Sequence, residues 1–168
     1  STDQIVALTT EQVASLSYNQ IQALTSLQVL ALETADLVKL SSAQFNALTS
    51  GQIQALSTLQ LANLSTDQLA NMTTEDVQAL TTAQISNLST AQIQAISTSN
   101  IAVMETADLK ALTNSEVGAL TSGQWNALTN TQMAALSTDQ IANIQTAALG
   151  QIAPDVIKKL STLQISAL

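Results

Sequence analysis

Two acidic pairs, Glu33 with Asp36 and Glu105 with Asp108, are the groupings in this chain whose types and spacing come nearest to site chemistry. Side chains three apart share a helix face, and carboxylate oxygens are hard ligands of the kind that hold calcium or magnesium. Such cations gather more ligands than two, so we read the pairs as negative charge set at helix N-termini, where it offsets the helix dipole. Glu75 beside Asp76 is read the same way.

The remaining inventory excludes most catalytic machinery. There is no His and no Cys, which removes imidazole acid–base chemistry, thiolate metal sites and disulfides. A Ser nucleophile would need one of only four basic residues, Lys39, Lys110, Lys158 and Lys159, beside it. The sequence thus predicts no enzyme and no catalytic, cofactor-binding or metal-ligating residue; no small-molecule substrate is evident. A net charge of -8 without a basic stripe argues against nucleic acid and anionic lipid. No apolar run approaches the roughly 20 residues that span a bilayer, so membrane insertion is not expected.

The elements that carry these residues follow from an unbroken period of eight. From Ser1 to Leu168 the chain reads as twenty-one octads of the form Ser/Thr-Thr-x-Gln-Ile-x-Ala-Leu. The fifth place is always a large apolar residue and the eighth is always Leu, Ile or Met. So short a repeat means one stacked unit, a single solenoid over residues 1–168. At 46% hydrophobic and 2% aromatic residues, its core must be aliphatic and filled in small equal increments.

Geometry selects the unit. In one continuous helix, eight residues overshoot two turns by about 80°, so the apolar stripe would wind round faster than any partner could cover it. Coiled coils repeat in seven or eleven residues. A β-solenoid would send the fifth and eighth positions to opposite faces, and abundant Ala, Leu and Gln with only four Gly do not favour it. Seventeen octads instead begin with Ser or Thr, and fourteen have Gln three residues later. That is the capping box: the hydroxyl accepts from the third helical N–H while the longer side chain returns to the N-cap N–H. The expected fold is all-α, a superhelix of very short helices, one per octad and about six or seven residues long. Their fifth and eighth side chains face inward as an Ile/Leu spine.

Other positions fit that phase. Pro154 falls on N1, where its missing N–H costs nothing. Ala at the seventh place (Ala23, Ala47, Ala55, Ala79, Ala119) would let adjacent helices approach closely. Phe45 and Trp125 belong to the inward fifth place and Tyr18 to the outward second; Gly51 and Gly123 could mark close backbone approach. A longer repeat of nine octads relates 33–72 to 105–144, as in Glu33-Thr34-Ala35-Asp36-Leu37 and Glu105-Thr106-Ala107-Asp108-Leu109. We read it as a duplication and ask whether nine octads also complete whole superhelical turns. Both ends fall on octad boundaries, which predicts a segment of a longer array whose ends self-associate.

Units such as Thr81-Thr82-Ala83-Gln84-Ile85 and Ser89-Thr90-Ala91-Gln92-Ile93-Gln94-Ala95 resemble the short Thr/Gln/Leu-rich tandem repeats of large secreted or surface-anchored bacterial proteins of the adhesin and haemagglutinin-like kind. The resemblance implies an extracellular or cell-surface location and a structural role as spacer, stalk or scaffold, with protein–protein contacts along the surface. The alternative is a binding module for a protein, a glycan or ice, the last through the Thr that fills the second place in thirteen octads. Ice binding would need those hydroxyls in a flat row.

Overall fold

In the computed structural model, which describes residues 1–168, every octad forms one helix, from α1 (Thr2–Val6) to α21 (Thr162–Ile165), and there is no strand. The chain is an α-solenoid. The helices are four to six residues long, shorter than the sequence suggested. They stop early because the eighth and first residues both leave helical geometry where the chain turns, as Leu56 does with ψ 133° and Ser57 with ψ 156°. No residue takes a positive φ, so these corners need no glycine, which accounts for a solenoid built with four.

Helices this short cannot hold themselves, because nucleation fixes several residues for few bonds. Packing holds them. α7 (Ser50–Ala55) lies against α4 (Ser26–Leu30) and α10 (Thr74–Ala79), and α10 lies against α13 (Thr98–Val103), each three octads along. From Val13 to Ile141 the fifth side chains are at most 1% exposed, and the eighth are buried from Leu32 to Ile144. Phe45 and Trp125 fill the spine at 0% exposure, whereas Tyr18 stands outside at 54%. The Trp125 indole nitrogen finds no hydrogen-bond partner there. In the outermost turns, which have a neighbour on one side only, Leu8, Leu16 and Leu24 are half-buried and Ile165 and Leu168 are exposed.

Side-chain hydrogen bonds reach four octads back while helices touch three octads along, so one superhelical turn takes between three and four octads. No turn of that size divides nine octads into whole turns. The 72-residue recurrence is left to duplication. The seventh-place alanines are not uniformly a packing surface either: Ala47, Ala79 and Ala119 are buried, Ala55 is half-buried and Ala23 is exposed. The closest approach is made elsewhere, at Gly118, where a Cβ would run into the Asn143 carbonyl oxygen. Nothing lies near a Cβ built on Gly51, and one on Gly123 would make ordinary contact with the Thr98 methyl at 3.6 Å.

Candidate functional site

The repeated chemical feature of the fold is the side chain at the fourth place. In the octad Ser89–Ile96, the Gln92 N–H donates to Ser89 Oγ at 3.3 Å, and the Ser89 N–H donates to Gln92 Oε1 at 2.9 Å, closing the capping box. That leaves the amide nitrogen free to do something else. Gln92 Nε2 donates to the carbonyls of Leu61 and Leu64, both at 3.0 Å, which lie 31 and 28 residues earlier on the adjoining turn. Gln52 does the same to Ile21 at 2.9 Å and Leu24 at 2.6 Å, and Gln124 to Ile93 at 2.7 Å and Ile96 at 2.8 Å. Only one orientation of the amide satisfies both ends, with oxygen toward the N–H and nitrogen toward the carbonyls.

All ten fourth-place glutamines that have a turn beneath them, from Gln44 to Gln164, make this clamp. The eighth-place carbonyl receives no helical N–H because the helix has ended, so the amide supplies a donor that a buried acceptor needs. Each such bond adds about 0.5–1.5 kcal/mol net, and an unmet buried carbonyl would cost about 1–3. The clamp therefore joins helix initiation within an octad to stacking between turns.

Sequence reasoning saw the cap and missed the clamp, although a signal was present. At a helix N-terminus the dipole favours Glu over Gln, yet Gln holds fourteen fourth places and Glu one. The bias records carbonyls that no local rule reveals. Other residues keep part of the function. Asn100, one methylene shorter, still donates to the Met72 carbonyl at 2.8 Å, and Lys159 donates to the Leu128 carbonyl at 2.8 Å in the octad whose fourth place is Val156.

The acidic residues singled out above divide between two environments. Glu33 and Glu105 are exposed N-caps whose side chains make no cap hydrogen bond, whereas Asp36 and Asp108 sit at the fourth place and are buried. No three residues of the metal-ligating types come together anywhere in the structure. Asp76 accepts from the Thr73 N–H at 3.0 Å, and Asp108 accepts from the Thr82 hydroxyl at 2.7 Å. Burial pushes both carboxyls above the ordinary aspartate range, against the lowering effect of those hydrogen bonds. Fully exposed Glu75 goes the other way, held low mainly by a hydrogen bond to its own backbone N–H.

The second-place hydroxyls have two kinds of surroundings. Ser26 and Ser42 donate to the Gly51 and Asp67 carbonyls three octads on, while Thr90, Thr138 and Thr162 are exposed. With fewer than four octads per turn, successive members point to different sides of the superhelix. The grooves between turns are shallow and open, the largest being bordered by Leu30, Glu33, Ser57 and Leu59.

No curated protein matches this sequence. A family of tandem repeats does, in four overlapping stretches, residues 29–66, 53–82, 69–104 and 101–138, which together span more than half of the chain. The hexapeptide that names it stands unchanged at Ala79-Leu80-Thr81-Thr82-Ala83-Gln84, where one octad's spine residue runs into the next octad's cap and clamp. The chain belongs to the ALTTAQ repeat family.

Proposed function

We propose that this array is a non-catalytic structural segment, a spacer or stalk of a secreted or cell-surface protein. The observation that carries the reading is the glutamine clamp, repeated at a constant reach of 28 residues from Gln44 to Gln164. A unit that binds the turn beneath it in the same way each time makes length proportional to octad number, which is what a spacer requires. The acidic, cysteine-free surface accords with exposure outside the cell. The clamp is also directional, with amide donors on one side of each turn and carbonyl acceptors on the other.

The test is to place the array between a surface anchor and an epitope, and to add or remove whole turns. Epitope height above the surface, read by fluorescence, should change in equal steps; a height indifferent to octad number would sink the spacer reading. A binding role through the Thr array is the second reading. Its ice-binding form is tested by thermal hysteresis with Thr90→Lys as control: activity that the Lys abolishes would establish it, and no activity would remove it.

A further inference from the structure

Two of the fourth places that face a preceding turn stand one above the other and hold aspartate: Asp76 over the octad Ser41–Leu48, and Asp108 over the octad Thr73–Leu80. Both residues are at least 95% buried. In the glutamine octads this position gives a donor to the carbonyl 28 residues earlier, which here is that of Leu48 or Leu80. An ionised carboxylate has no donor and sets acceptor against acceptor. Asn100 shows that a side chain of this length reaches the carbonyl, because its Nδ2 donates to Met72 at 2.8 Å. In each aspartate one oxygen is already engaged, Oδ2 of Asp76 by the Thr73 N–H and Oδ1 of Asp108 by the Thr82 hydroxyl, which leaves the other to carry a proton.

We propose that Asp76 and Asp108 are proton-operated clamps: protonated, each donates its O–H to the backbone carbonyl of the turn beneath, Leu48 and Leu80 respectively; ionised, each leaves that link open. No base competes for the protons. The chain's one ion pair, Lys158 with Asp155, is elsewhere. The octads of α7 and α13 packed against Asp76, and those of α11 (Thr82–Ile85) and α17 (Asn130–Ala135) packed against Asp108, contain no charged side chain. The charged groups on the two aspartates' own octads and on those above or following are Glu75, Glu105, Glu116, Asp139 and the exposed Lys110, all but one of them acidic.

The sign follows from the direction in which burial moves these carboxyls. Their folded-state values are raised, so the folded chain holds the protons more tightly than the unfolded one. The added stability is complete below the ordinary aspartate value and is lost as pH rises through the raised one. The device is independent of the spacer role and would operate in any use of the array.

Thermal unfolding of the full chain between pH 7 and pH 4 tests it. The parent's midpoint should rise as pH falls. The double variant Asp76→Asn/Asp108→Asn, which has the Asn100 donor built in, should melt higher than the parent at pH 7 and lose most of that rise. Asp67→Asn/Asp139→Asn, an equal charge change at exposed acids, should keep it. Identical pH profiles for the two double variants would overturn the proposal. So would a rise in the parent's midpoint with calcium chloride at pH 7 that the clamp variant lacks, since a cation would then fill the gap. Should the clamp variant not fold, carbon-13 titration of the parent's aspartate carboxyls decides: two midpoints above the ordinary range support the proposal, and none overturns it.

Discussion

Gln60, Gln92 and Gln124 follow one another up one side of the superhelix, and each ties its octad to the turn beneath through two or more carbonyls. On another side Asp76 and Asp108 occupy the same place in the same backbone, above the same spine, and make no such bond to the carbonyl below. Both columns fold into one solenoid. At Asp76 and Asp108 the fifth and eighth residues pack as they do elsewhere although that amide link is missing. The spine therefore does not require a clamp at every octad, and the amide adds stability and register where it is present. The difference between the columns is one of chemistry at a single group, NH₂ against oxygen.

The largest expected effect is on what the columns share. Leu88, 2% exposed in the spine, changed to Asp should lose several kcal/mol in denaturant unfolding, since a charge enters an apolar layer. Retention of near-parental stability would mean that the clamp outweighs the spine. Gln92→Glu turns a member of the amide column into one of the acidic kind while keeping shape and cap acceptor. At neutral pH it should cost about 1–3 kcal/mol, mainly for the Leu64 carbonyl deprived of its donor, since the Leu61 carbonyl keeps the Leu64 N–H, and the loss should shrink in acid as the carboxyl regains a proton. A loss that did not vary with pH would erase the distinction drawn between the columns. The smallest effect belongs to the local half of the box. Ser89→Ala, above Gln92, and Thr73→Ala, above Asp76, should each cost about 1 kcal/mol, because N-capping is settled inside the octad. Unequal losses would show that cap and clamp are coupled.

The pattern of legibility has the same boundary. Ser89, Gln92, Ile93 and Ile96 announce a helix start and an inward face through contacts three or four residues long, and the structure has both. Pro154 at N1 was readable for the same reason, since its constraint lies within its own ring. The second hydrogen bond of Gln92 was not, because its partners are backbone carbonyls, which are identical in every sequence, and they lie 28 and 31 residues away. Glycine shows the same limit: Gly51 and Gly123 attracted notice by recurring, while the one that matters for packing is Gly118, identified only by the Asn143 carbonyl against it.

By itself, then, the order of residues determined where each helix begins, which side chains leave water and that one small unit repeats, since these rest on local hydrogen bonding and the spacing of apolar groups. The tertiary structure alone decided how many octads make a turn, and with that which carbonyls meet the fourth side chain and which sides the threonines occupy. Pitch is the reason. It arises from the summed angles of many corners, so a small change at each would bring different octads together while leaving every local signal intact.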